Sequence, residues 1–148
     1  MENNDSKLLA QKMNILLAEI YALYLKTQNY HWNVKGTNFF ALHLLFEQQY
    51  KEQVEAVDEL AEKIRSMGIN VQADLQYFAS HSTISLPNKD LSAAEMIKDL
   101  IESHIVIINK FYALSEAANA ANNKTIDDFA IQRIAAHEQQ RWMLLSSV

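Results

Sequence analysis

Five side chains of metal-ligand type fall within one window of 32 residues: His31, His43, Glu47, Asp58 and Glu62. Two imidazoles and three carboxylates make a donor set that suits non-haem iron or a similar divalent transition metal. Taken singly, each has a plainer use. A lone histidine is more often a buried or capping group, and acids on a helix more often face solvent. The spacing argues otherwise. His43 and Glu47 stand four residues apart, as do Asp58 and Glu62, so each pair shares one face of a helix. At 100° per residue, Glu47 and Asp58 differ by only about 20° around the axis, so all four project from one broad face. Asp58 comes eleven positions after Glu47, ~16 Å along the helix. Bonds from a metal to nitrogen or oxygen are only ~2 Å long, so no single ion reaches both pairs within one straight helix. Either the pairs serve different purposes, or a second copy of the chain brings them together. An antiparallel copy, related by a two-fold axis near Glu52–Gln53, would lay His43 and Glu47 of one chain opposite Asp58 and Glu62 of the other. Such a pairing is reciprocal and gives two identical sites. His31, one short turn earlier, could approach His43.

The elements that must carry these residues are long helices. Two Gly and one Pro in 148 residues leave few breaks. Apolar residues recur at helical spacing from about Ser6 to Trp32, through Leu9, Met13, Leu16, Leu17, Ile20, Leu23, Tyr24 and Thr27. Asp5 or Ser6 can cap that start, and Gly36 supplies the turn that ends it. A second helix is expected from about Asn38 to Met67, with Phe39, Leu42, Phe46, Tyr50, Val54, Val57, Ala61 and Ile64 in its stripe and Gly68 as its stop. Each spans ~40 Å, so neither can bury its stripe alone and the two must lie side by side. Ile69–Asp90 is a connector holding Pro87 and a weakly helical piece around Ala73–Ala79. Ser92-Ala93-Ala94-Glu95 is a capping box that opens a third helix to about Ala120, with Ile97, Leu100, Ile101, Ile105, Ile108, Phe111 and Tyr112 inward. Thr125 is expected to cap a fourth helix to about Leu145, with Ile126, Ala130, Ile134, Trp142 and Leu145 inward. Short, long and short connections describe an all-α four-helix bundle with one crossover, the wiring of ferritin-like folds. A single domain over residues 1–148 is expected, preceded by a short polar tail over residues 1–5.

Composition removes several function classes. The net charge of −5 gives no overall attraction for nucleic acid or an acidic membrane. There is no Cys, which excludes disulfides, thiolate metal sites and Cys nucleophiles and is compatible with a reducing cytosol. Met1–Lys7 is polar, with no apolar run behind a basic start, and no run of 18 apolar residues is visible. The expectation is a cytoplasmic protein with no membrane partner. None of the eleven Glu residues has His three positions later. The Glu-x-x-His pattern of a di-metal centre inside one bundle is therefore missing. His81, His104 and His137 match no ligand spacing and read as structural or solvated.

Tyr30-His31-Trp32-Asn33-Val34-Lys35-Gly36, then Asn38-Phe39-Phe40 and Leu42-His43, strongly resembles the Dps family, the mini-ferritins named as DNA-binding proteins from starved cells. Val57-Asp58-Glu59-Leu60-Ala61-Glu62-Lys63-Ile64 followed by Gly68 is similar to that family's second signature. Leu91-Ser92-Ala93-Ala94-Glu95-Met96 and Trp142-Met143-Leu144 also look like its landmarks, so the resemblance covers nearly the whole chain. It implies a homo-oligomer, a dodecameric hollow shell built from two-fold dimers, that stores ferric mineral. It implies a ferroxidase centre at each two-fold interface, with His31, His43 and position 47 from one chain and Asp58 and Glu62 from its partner. It implies oxidation of Fe²⁺, usually by hydrogen peroxide, as protection against oxidative damage. Position 47 is more often Asp in the family, and Glu47 is one methylene longer. Position 37 is often Pro and here is Thr37. The resemblance adds an electron-donor role for Trp32 beside plain interface packing, and acidic pores near Asp127 and Asp128. Two other functions are weighed against this one. A DNA-binding structural protein needs Lys and Arg to neutralise phosphate, but Met1–Lys7 carries two acids and one base and Trp142–Val148 carries no charged side chain. An assembly that binds zinc or another divalent ion without redox turnover is the other.

Overall fold

Three residues with left-handed backbone mark the ends of the long helices: Gly36 at φ +117°, Gly68 at φ +79° and Asn122 at φ +54°. Glycine takes that conformation freely and asparagine tolerates it. The computed structural model describes residues 4–87 and 89–148, and these form five helices and no strand. These are α1 (Asn4–Asn33), α2 (Phe39–Ser66), α3 (Leu75–His81), α4 (Ala93–Ala120) and α5 (Lys124–Leu145). The four long helices form the expected bundle, and the short α3 rides in the crossover between α2 and α4.

α1 packs along α2 and α4, α4 packs along α5, and α3 lies against α1. Leu9, Met13, Leu16, Leu17, Ile20 and Leu23 of α1 meet Phe46, Leu60 and Ile64 of α2, Leu100, Ile107, Phe111 and Leu114 of α4, and Phe129 and Ala130 of α5 in one core. The fourth side of the bundle, α2 against α5, is joined by polar side chains. Gln49 donates to the Gln140 carbonyl at 3.1 Å, and Gln53 donates to the Gln140 side-chain oxygen at 2.8 Å. Arg133 forms a two-pronged pair with Glu52.

The capping box at Ser92 and Glu95 forms in both directions. Several other expectations need correction. α1 starts at Asn4, so Asp5 and Ser6 lie inside its first turn and not at its cap. The two last residues of the expected tail therefore belong to a helix, and residues 1–3 lie outside those described. Asn123, not Thr125, caps α5. Its side-chain oxygen accepts from the Ile126 amide at 3.2 Å, and the Thr125 hydroxyl donates to that same oxygen at 2.9 Å. The connector helix sits at Leu75–His81, about two residues later than read, because Asp74 accepts from the Tyr77 amide and fixes its start. Trp142 and Leu145 are exposed, and Leu144 is buried in their place. Phe39, Val54, Ile105 and Tyr112 are exposed as well. On α2 the buried stripe is Leu42, Phe46, Gln49, Gln53, Ala56, Leu60 and Ile64, rolled toward α5 because two glutamines find partners there.

α1 is also long and apolar enough to cross a membrane by length and composition, contrary to the sequence expectation. Over half of its most apolar stretch is buried against the other helices, and it buries Glu19 and Lys26 with partners on α4. Its apolar character is accounted for by the core. Glu19 also anchors the crossover. Fully buried, it accepts from the Thr83 amide at 2.9 Å and from the Thr83 and Ser82 hydroxyls, and it pairs with Lys110 of α4.

Candidate metal centre

His31 closes α1 and His43 lies in the second turn of α2, across the tight turn at Gly36. The end of α1 is held by a buried polar knot. The Lys26 ammonium lies 2.9 Å from the Asp99 carboxylate of α4 and donates to Ser103 at 3.1 Å. The Tyr30 hydroxyl donates to the same carboxylate. Burial and then Asp99 push the Tyr30 phenol well above its usual range, so it stays a neutral donor. The residue after it, His31, is thereby fixed in direction.

The two imidazoles hold one another. His31 Nδ1 lies 2.7 Å from the His43 carbonyl oxygen, and His43 Nδ1 lies 2.7 Å from the His31 carbonyl oxygen. A carbonyl oxygen can only accept, so each Nδ1 carries the hydrogen. In the neutral ring this puts the free lone pair on Nε2, the tautomer that binds metals. The rings stack with centroids 3.8 Å apart and planes 13° apart. Phe39 stacks on the outer face of His43 at 5.0 Å, and Tyr50 meets His31 edge-on at 5.3 Å.

The carboxylates do not join them within one chain. Glu47 is half-buried and turned to Lys51 at 3.2 Å, an i,i+4 pair on α2. Asp58 and Glu62 are exposed farther along the same helix, and neither has a hydrogen bond or ion pair among the described residues. Among those residues no group of three or more His, Asp or Glu side chains gathers to hold an ion. One chain thus presents two preset imidazoles at one end of α2 and two unpaired acids toward the other, on a face that also shows Phe40, Leu44 and Val54 to solvent.

Two features here were not read from the sequence. The reciprocal imidazole–carbonyl bonds depend on the turn and had no sequence signal. Tyr50 lies seven residues after His43 and could have been placed beside the site by helical spacing alone. His104 and His137 turn out fully buried, with their Nδ1 atoms 3.1 Å apart and His137 Nε2 2.9 Å from Arg133. They are a core pair, on the structural side of the expectation. Trp32 is largely exposed. Asp127 sits in the first turn of α5 and accepts from Ser115, and Asp128 accepts from Gln132 at 2.9 Å.

Residues 10–147 match the family described as Ferritin-like domain. The chain is 31% identical over 144 residues to a DNA protection during starvation protein of Brevibacillus brevis, covering 97% of each chain. The structure superposes on Dps from Staphylococcus aureus with a TM-score of 0.92 at 31% identity, over 99% of this chain and 97% of that one. It superposes on the Dps protein of Vibrio cholerae, described as a member of a broad superfamily of ferritin-like diiron-carboxylate proteins, with a TM-score of 0.93 at 25% identity over 99% and 92% of the two chains. A bundle with this crossover, matched along nearly its whole length, places the chain in the Dps family of ferritin-like proteins.

Proposed function

We propose that the protein is an iron-storing ferroxidase that takes up Fe²⁺ as substrate between two protomers and keeps the product as ferric mineral inside a hollow dodecameric shell. The observation that carries this reading is the pair of imidazoles locked as Nδ1–H tautomers, together with Asp58 and Glu62 left without partners on the same helix. Each half is incomplete alone. An antiparallel second copy would put His31, His43 and Glu47 of one protomer beside Asp58 and Glu62 of its partner, twice per dimer. Phe40, Leu44 and Val54, exposed on the same face, would supply apolar contact.

The roles follow from donor chemistry. The two Nε2 atoms bind ferrous iron, each ring being held by the other histidine's backbone carbonyl. Asp58 and Glu62 carry charge and favour Fe³⁺ over Fe²⁺, which makes oxidation easier. Glu47 must leave Lys51 to join them; an exposed i,i+4 pair is worth only about 0.3–0.5 kcal/mol, so the swing is easy. Hydrogen peroxide serves as oxidant. Two ferrous ions each give one electron, the O–O bond breaks, and two protons complete two waters, so no hydroxyl radical is released. Ferric ions then hydrolyse in the cavity. Zinc or other divalent ions would compete for the same donors. The Brevibacillus relative is named for protecting DNA. In this protein the protection is chemical, since a chain with net charge −5 has little means of neutralising phosphate. The reaction and the charge both fit a protein of the cytoplasm.

A mixing experiment tests the split site. A His31→Ala/His43→Ala chain and an Asp58→Ala/Glu62→Ala chain are each expected to assemble and to oxidise iron only slowly. Unfolded together in equal amounts and reassembled, they should regain about a quarter of the wild-type initial rate, because half the dimers are mixed and each mixed dimer has one intact site. Mixtures no faster than either parent would show that the ligands come from one chain.

A further inference from the structure

His31 sits two residues before the end of α1, in a last turn that the helix cannot fully bond by itself. Such turns fray, yet a metal ligand must be held to within about 0.5 Å. One carboxylate from outside the half-site pins this turn. Asp99 of α4 takes the Lys26 ammonium at 2.9 Å and the Tyr30 hydroxyl on the same oxygen, Oδ2. Lys26 and Tyr30 stand four residues apart, so one atom clamps the last two turns of α1. Both side chains are buried. Ser103, one turn beyond Asp99, accepts from Lys26 at 3.1 Å and donates to the Asp99 backbone carbonyl at 3.0 Å. The Tyr30 ring also packs on Phe46 of α2, three residues after His43, with centroids 6.5 Å apart. Tyr30 thus touches α4 with its hydroxyl and α2 with its ring, and stands next to His31 in sequence. Phenylalanine would pack the same ring without a phenol to satisfy. A buried ion pair such as Lys26–Asp99 is often matched in stability by apolar side chains. What apolar groups cannot supply is direction.

We infer that Asp99 is a positioning residue for the metal half-site: through the Tyr30 hydroxyl it fixes the rotation of the last turn of α1, and so the direction of His31. The inference rests on the metal-site reading above and concerns binding, not the oxidation step. His31 and His43 are bonded to each other in both directions, so a last turn free to swing misplaces both Nε2 atoms. What is lost is metal affinity. Groups that directly orient a ligand are worth about 10–100-fold in affinity. Asp99 acts one link farther out, so the low end of that range, about tenfold, is expected.

The test is Co²⁺ binding to the assembled protein, read from the visible absorbance of the bound ion, with urea unfolding of the metal-free protein as the control for stability. Tyr30→Phe keeps the ring on Phe46 and should weaken Co²⁺ binding about tenfold. Ser103→Ala removes a bond of the same knot that does not lead to Tyr30; it should lower stability and leave Co²⁺ affinity as in wild type. Asp99→Ala should match Tyr30→Phe and add nothing to it in the double variant, because the two act through one contact. Asp99→Asn keeps an oxygen that accepts from the phenol and should restore most of the affinity. Wild-type affinity in Tyr30→Phe, an equal loss in Ser103→Ala, additive losses in the double variant, or no rescue by Asp99→Asn would overturn the positioning role. The comparison of Tyr30→Phe with Ser103→Ala decides the matter even where Asp99→Ala, which leaves Lys26 without its partner, fails to assemble. Co²⁺ binding that His31→Ala does not weaken would overturn the metal-site reading, and the positioning role with it.

Discussion

Acid should loosen this bundle from within. His104 of α4 and His137 of α5 are fully buried, joined to each other at 3.1 Å and capped by Arg133 at 2.9 Å from His137. Burial first, then Arg133 and Arg141, push His104 down from 6.5 to about 3. Burial, Arg133 and His104 push His137 well below its ordinary value. Glu52 of α2, the acid that Arg133 reaches, is already engaged by Arg133 and Gln140. Both folded-state values are lowered, so between pH 6.5 and about 3 the unfolded chain binds protons that the native chain refuses. Stability is therefore whole above the ordinary value and falls as the pH drops below it. From pH 7 to pH 5 each histidine removes about 2 kcal/mol, or about 4 kcal/mol for the pair, on an ordinary imidazole value. Most carboxylates titrate below this window, and a domain holds only about 5–15 kcal/mol in all. The assay is urea unfolding of metal-free protein at pH 7 and pH 5 at one fixed protein concentration, since assembly also adds to apparent stability. The His104→Leu/His137→Leu variant is the comparison. Whatever its absolute stability, it should lose about 4 kcal/mol less than wild type between the two pH values. Equal losses would refute the claim that this pair titrates on unfolding.

Two smaller perturbations probe the crossover and the half-site. Glu19→Leu removes the acceptor of the Thr83 amide and of Lys110; it should cost about 2 kcal/mol in urea unfolding and make the stretch after α3 the first site of limited proteolysis. Lys51→Ala frees Glu47; stability should change by less than about 0.5 kcal/mol, and Zn²⁺ should bind about twofold more tightly by calorimetry.

Much of the fold could be read because the chain has so few breaks. With Gly and Pro scarce, Gly36, Gly68 and Asn122–Asn123 are conspicuous, and the capping box at Ser92 fixes where the crossover ends. The roll of α2 was harder. Apolar spacing pointed to Phe39 and Val54, but Gln49 and Gln53 are buried in their place because their side-chain NH2 groups donate to Gln140 of α5. No single-helix pattern contains that partner. Trp142 and Leu145 misled for the opposite reason: an apolar residue costs little at a surface, and on this face an assembly would cover it. The half-site could be read from spacing, since i,i+4 acids and a distance too long for one ion are properties of any helix. The tautomer lock could not, because it depends on two backbone carbonyls brought together by the turn at Gly36.

The buried polar seam and the half-site are two faces of one helix, and that connects them. Gln49, Glu52 and Gln53 are held by Gln140 and Arg133, so the roll of α2 against α5 is set by directional bonds. A slip of one residue would turn every side chain by about 100°, burying charged Asp58 or Glu62 and exposing glutamines that have partners only in this register. An all-apolar seam of leucine would hold α2 as firmly but define its rotation less sharply, which is the use of buried polar groups best supported in helical assemblies. Glu52 and Gln53 also stand midway between His43–Glu47 and Asp58–Glu62, where the proposed two-fold axis would pass. The same segment that fixes the helix inward is thus the one about which its outward face must repeat, so an error in the core register would misalign both metal sites of a dimer at once.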